Sequence, residues 1–216
     1  MAVERDEYTG VLCVVWQRRE SGAEEESWPG CSGRRVPHPL HYGGQIVRFT
    51  LVDRITELTA GQSITAIKVL SLAEEYLADH FPRFPVMPGV MMLEAMYQAS
   101  AWLVRRSEDF AHTIVVLREA RNVKFSNFVE PGQVLVVQAT ILKENVTTTT
   151  LKAEASVNGK PAVNARLILE RYNLADRYPS RAATDDFTRR ELREQFDILC
   201  GPAAVEAGVA GEAPPV

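Results

Sequence analysis

The sequence predicts an α+β protein in which an antiparallel β-sheet wraps around one long buried helix. Two observations carry this. Segment Gly89–Val104 is apolar almost all the way round, the pattern of a helix covered on every side. Around it lie segments of β-branched residues, often alternating with polar ones and separated by turn signals. A lone helix among such strands hides its surface only if the sheet curls over it.

Residues 46–58 are rich in β-formers, and in 62–70 Ile64, Ala66, Lys68 and Leu70 alternate with Thr65, Ile67 and Val69. A loop punctuated by Pro82, Pro85 and Pro88 leads into the helix. Segments 112–120, 133–145, 146–157 and 160–172 read as further strands, with Pro131-Gly132 and Asn158-Gly159 as turns and the last two strands as a hairpin. Residues 1–45 form a variable N-terminal extension, in which the glycines, prolines and glutamates of 20–45 disfavour long regular structure. Residues 173–216 form a C-terminal extension. Within it a short amphipathic helix is expected over 184–200, where Thr188 and Glu191 make a capping-box pattern and Leu192, Phe196 and Leu199 share a face. Disorder is expected from about residue 201 onward, where small residues and prolines leave little to bury.

A net charge of −4 and a pI near 5.7 give no global basic field, and no basic stripe interleaved with aromatics suggests nucleic acid. Cys13, Cys31 and Cys200 are scattered and lack zinc-ligand spacing, so free thiols in a reducing compartment and no metal site are expected. The acidic start and the short apolar run Val11–Trp16 fit neither a signal peptide nor a membrane span, which points to the cytoplasm.

Chemistry concentrates in residues 80–100. Glu94 sits among apolar helix neighbours, where burial raises a carboxyl toward the range of a useful general acid. From the helix alone, a buried Glu satisfied by a nearby donor is an equally good reading. His80 lies in the proline-pinned loop entering the same helix, so loop and helix can converge on one point, within a protomer or across a dimer. Gly89, just inside the helix start, offers an unobstructed N–H at the positive end of the dipole, or simply permits tight packing.

The stretch His80-Phe81-Pro82, Pro85-Val86-Met87-Pro88-Gly89-Val90, then Glu94-Ala95-Met96 and Gln98, resembles the signature of FabZ-type 3-hydroxyacyl-acyl-carrier-protein dehydratases. Looser similarity through Leu51–Ile55 and Phe128–Gly132 extends the resemblance over 46–172, the expected dehydratase domain. The resemblance implies a hotdog fold, a homodimer that often forms a trimer of dimers, and active sites between protomers. It implies that His80 removes the proton alpha to the thioester, that Glu94 of the other protomer protonates the departing hydroxyl, and that the Gly89 N–H holds the carbonyl oxygen. Phe81, Pro88, Val90, Tyr97 and Gln98 are then substrate-binding candidates, with no metal or organic cofactor. Glu94, where FabA-type relatives typically carry Asp, points to the FabZ side. The implied partner is acyl carrier protein, for which Arg83, Arg105, Arg106, Arg121 and Lys124 are docking candidates. A hotdog acyl-thioesterase and a non-catalytic acyl-binding hotdog subunit are the alternatives. Three departures from the family pattern stand out: His41–Thr50 in place of the usual Leu-Pro-His-Arg-x-Pro stretch, Asp79 before the histidine, and Tyr97 in place of a small residue.

Overall fold

The computed structural model describes residues 49–207, with side chains to residue 201, and the backbone of two short strands nearer the N-terminus. The chain forms two compact units, Met1–Phe49 and Thr50–Val216. In the first, β1 (Ala2–Arg5) and β2 (Leu12–Val15) pair antiparallel. The loop signals of 20–45 and the side chains of Cys13 and Cys31 lie outside the described residues.

In the second unit six strands form one sheet: β3 (Arg54–Thr59), β4 (Ser63–Val69), β5 (Ile114–Phe125), β6 (Val134–Glu144), β7 (Thr148–Val157) and β8 (Lys160–Tyr172). Their order is β3-β4-β6-β7-β8-β5, antiparallel throughout. The helices are α1 (Tyr76–Asp79), α2 (Gly89–Ser107), α3 (Leu174–Arg177) and α4 (Ala182–Ala207). Turn chemistry sets the hairpins. Asn158 and Gly159, at φ 51° and 75°, make the left-handed pair whose twist suits a two-residue hairpin between β7 and β8. Pro131 and Gly132, the latter at φ 86°, turn the chain into β6, with the Gln133 N–H donating to the Glu130 carbonyl at 3.0 Å.

Period-two alternation decides which face is covered. Leu151, Ala153, Ala155 and Val157 of β7 point inward while Lys152 and Glu154 point out, and Leu135, Val137 and Ala139 do the same on β6. The inner face packs on α2, which touches every strand of the sheet, and the many inward alanines leave room for Met92, Met96 and Leu103. A six-stranded antiparallel sheet in this order, wrapped on one long helix, is the hotdog fold.

Cover along α2 is uneven. Ala99–Val104 are buried, whereas Val90 is exposed and Met91, Leu93, Glu94, Tyr97 and Gln98 are partly exposed. All-round burial therefore holds for Ala99–Val104 alone. There α4 adds a lid: Leu192 and Leu199 join the core, and the Phe196 ring lies 6.1 Å from Trp102 and 5.6 Å from Phe110.

Several boundaries differ from those expected. The strand expected from residue 46 is β3, which starts at Arg54; Leu51 and Val52 are buried outside any strand, and residues 46–48 lie outside the described residues. β5 runs on to Phe125 through two bulges that break its alternation, which hides its second half from a period-two reading. Thr188 and Glu191 lie inside α4, which begins at Ala182, so they cap nothing. Residues 201–207 continue α4 past a break at Gly201, φ 65°, and 208–216 lie outside the described residues. Among the described residues no helix is long and apolar enough to cross a membrane.

Candidate active site

The path to His80 starts at the end of β4. Lys68 takes an inward strand position and is buried; its Nζ lies 2.5 Å from Glu74 and 3.8 Å from Asp53. Asp53 in turn accepts the Val69 N–H at 2.6 Å, and the Glu74 carbonyl accepts the Leu77 N–H at 3.0 Å. This ionic strut fastens the loop that becomes α1, and His80 ends α1 with its N–H on the Tyr76 carbonyl at 3.1 Å. The positioning part of Lys68 and Glu74 was not among the sequence expectations. Its signal was a lysine in the inward row Ile64, Ala66, Lys68, Leu70.

Beyond His80 the chain is locally strained. Phe81 has φ 51°, an uncommon state for a bulky residue, and its ring packs 4.5 Å from the imidazole. Val86 and Met87 then plunge into the core, and the Met87 N–H donates to the Val129 carbonyl at 2.9 Å. Phe81, Phe84, Val90, Phe125 and Phe128 stay exposed around the start of α2, with Phe84 edge-on to Phe128 at 6.0 Å. Among the described residues the His80 imidazole has no hydrogen-bond or ion-pair partner. Asp79, beside it, is exposed and makes no ion pair among them.

Two features coincide at Gly89. A Cβ there would stand 3.0 Å from the Phe125 ring, so close packing favours glycine. Its N–H is one of the helix-start donors without an intrahelical acceptor, and Pro88 supplies no side-chain cap.

Glu94 occupies the open side of α2. Burial pushes its carboxyl above the usual glutamate range, partly offset by a hydrogen bond from Gln98 Nε2 to Oε1 at 2.9 Å. The Leu51 N–H donates to Gln98 Oε1 at 2.8 Å, which settles the amide orientation and turns Nε2 toward the carboxylate. Gln98 is thus a positioning residue for Glu94. Replacing it, Gln98→Leu, removes the one influence that lowers the Glu94 pKa. The Glu94 titration, followed by NMR, is expected to move to higher pH in this variant. An unmoved titration would exclude this role.

Tyr97 is fixed elsewhere: Oη donates to the Val115 carbonyl of β5 at 2.8 Å. Burial pushes its phenol up to about 12, against an opposing pull from Arg105, so the proton stays on. The basic candidates do not make one patch. Arg83 and Lys124 are exposed near the start of α2, while Arg105 and Arg106 stand at its far end, some 24 Å along the axis. Arg105 is half-buried with its guanidinium 5.2 Å over Trp102, Arg106 lies 3.9 Å from Asp109, and Arg121 is forked onto Glu119 at 2.7 Å. A depression on the outer face of the sheet, lined by Glu57, Gln138, Lys152 and Glu154 among others, contains none of the expected site residues. Among the described residues no cluster of three or more metal-ligating side chains occurs.

Glu94 thus stands partly buried on the less covered side of α2, one turn past free helix-start N–H groups. The chain is a member of the FabA-like family, whose "FabA-like domain" model matches residues 45–166, more than half of its length. It is 39% identical over 119 residues to the 3-hydroxyacyl-[acyl-carrier-protein] dehydratase FabZ of Ruminiclostridium cellulolyticum, covering 55% of this chain and 84% of that one. It is 39% identical over 116 residues to the protein of the same name from Levilactobacillus brevis, covering 54% and 78%. Among solved structures, the dehydratase heterocomplex ApeI:P from Xenorhabdus doucetiae is similar over 58% of this chain and 85% of that one, at 21% identity and a TM-score of 0.49.

Proposed function

We propose that this chain is a hydro-lyase that dehydrates 3-hydroxyacyl-acyl carrier protein to the trans-2-enoyl thioester in fatty-acid synthesis. The observation that carries the reading is Glu94: a carboxyl held above its ordinary pKa, oriented by Gln98, on the side of α2 that the chain's own sheet leaves open. The thioester carbonyl oxygen accepts from the Gly89 N–H, where the helix dipole favours the charge that develops as the C2–H bond breaks. An imidazole nitrogen of His80 takes that proton, the electron pair forms the C2–C3 double bond, and the C3–O bond breaks as Glu94 protonates the departing hydroxyl. Water leaves, and the proton on His80 returns the pair to its starting state through solvent. Proton transfer and carbonyl polarisation complete this reaction, so the proposal includes no metal or organic cofactor.

The site forms between two copies of the chain, with the partner subunit's His80 facing Glu94. Two features support this: the imidazole lacks a polar partner among the described residues of its own chain, and the exposed aromatics beside it form an apolar surface of the kind a second subunit covers. Arg83 and Lys124, at the same end of α2 as Gly89, are the better placed candidates for docking an acidic carrier protein. A cytoplasmic location is part of the same reading.

Purified protein incubated with 3-hydroxyacyl-acyl carrier protein tests the reading. Enoyl thioester, followed by ultraviolet absorbance and mass, is the expected product. Release of free acid would assign a thioesterase, and no turnover a binding module. The His80→Ala variant is expected to lose about 100- to 10,000-fold in kcat while sedimenting as the wild type does.

A further inference from the structure

We infer that Tyr97 limits acyl length and commits the site to short-chain 3-hydroxyacyl thioesters, an inference that rests on the dehydratase reading above. Partly exposed apolar side chains line the seam of α2 and β5. Leu93 and Tyr97 on the helix and Leu117, Ala120 and Val123 on the strand pack on the core yet remain partly exposed. The two ends of the seam differ. At one end stand Gly89 and the Phe125 ring beside it. Farther along, Tyr97 crosses from helix to strand and is fastened there by its hydrogen bond to the Val115 carbonyl at 2.8 Å.

The order of the chemistry along α2 fixes which way a substrate lies. The carbonyl belongs at the Gly89 N–H and the C3 hydroxyl at Glu94, so carbons beyond C3 run on toward the C-terminal half of the helix. Tyr97 comes next, only about 4.5 Å farther along the axis. Its ring is held at both ends, by Cα on the helix and by Oη on the strand. Swinging aside would leave a buried phenol and a buried carbonyl without each other. Gln98, the other side chain one turn past Glu94, is bound to Leu51 and Glu94 and offers no apolar detour. The space past C3 suits a few methylenes.

The test compares kcat/KM for 3-hydroxybutyryl-, 3-hydroxyoctanoyl- and 3-hydroxyhexadecanoyl-acyl carrier protein in the wild type, Tyr97→Phe, Tyr97→Leu and Tyr97→Ala. The wild type is expected to favour the shortest over the longest by about tenfold or more. Tyr97→Phe, which keeps the ring but loses its tether, weakens that preference, Tyr97→Leu weakens it further and Tyr97→Ala removes or inverts it. If the alanine variant does not fold, the leucine variant carries the comparison. Equal wild-type turnover at all lengths, or an unchanged ratio in the truncated variants, overturns the inference and leaves the dehydratase reading standing. No wild-type dehydration at any length overturns the dehydratase reading and this inference with it.

Discussion

Glu94→Gln is expected to lower kcat about 100- to 10,000-fold while making the folded protein more stable at neutral pH. Glutamine keeps the shape and an oxygen that accepts from Gln98 Nε2, so the packing of α2 survives, but it cannot give a proton to a leaving hydroxyl. Stability moves the other way because burial raises the folded pKa of Glu94 above its unfolded value. A carboxyl shifted upward holds its proton more tightly when folded, so its ionisation costs stability as pH climbs from the ordinary glutamate value through the folded one. Wild type and variant are therefore expected to melt together in acid and to separate above it, with the variant higher. Melting temperatures across pH, paired with turnover, check both halves. Equal melting at neutral pH would mean that Glu94 is solvated in the assembled protein.

Asp185→Ala is expected to destabilise the fold by about 2–4 kcal/mol. Asp185 is 3% exposed, and its carboxylate gathers three donors: the Thr113 hydroxyl, the Leu174 N–H at 3.0 Å and the Ala175 N–H at 2.8 Å. It joins the start of β5, the α3 turn and α4 at one point, and alanine would strand the two N–H donors. Burial alone would raise its pKa, but the hydrogen bonds from Thr113, Ala175 and Leu174, with Arg189 nearby, outweigh that and hold it low. A depressed carboxyl contributes stability above its unfolded pKa and loses it as pH falls through the folded value. The wild-type advantage over Asp185→Ala should thus shrink in acid. Denaturant unfolding across pH measures this, and limited proteolysis between α3 and α4 reports whether the C-terminal helix lets go first.

The wrapped sheet, its turns and the motif residues were legible because their physics is local. Alternation marks β6 and β7, Asn158-Gly159 demands a left-handed pair, and apolar crowding marks α2. What escaped was non-local. The second half of β5 follows a bulged register that no period in the sequence describes. α4 starts at Ala182, and near that start Asp185 meets Thr113, a residue far away in the chain. Arg105 reads as surface charge until its guanidinium is found over Trp102. Glu94 was expected to be enclosed, yet the structure leaves it a side open, since helix apolarity does not say whether a protein covers itself or is covered by another.

The two borders of the sheet differ in what flanks them. β3 has α4 packed against it, with Gln195 reaching Thr50 and Gly201 lying by Arg54, whereas β5 has no described element on its far side. A sheet with one blocked border and one free border can add a neighbour only once. Two such chains meeting free border to free border leave nothing to extend, so growth ends at the pair and a stacked fibre has no next step. With the C-terminal helix lying against β3, the β5 border is the one left open to a second chain.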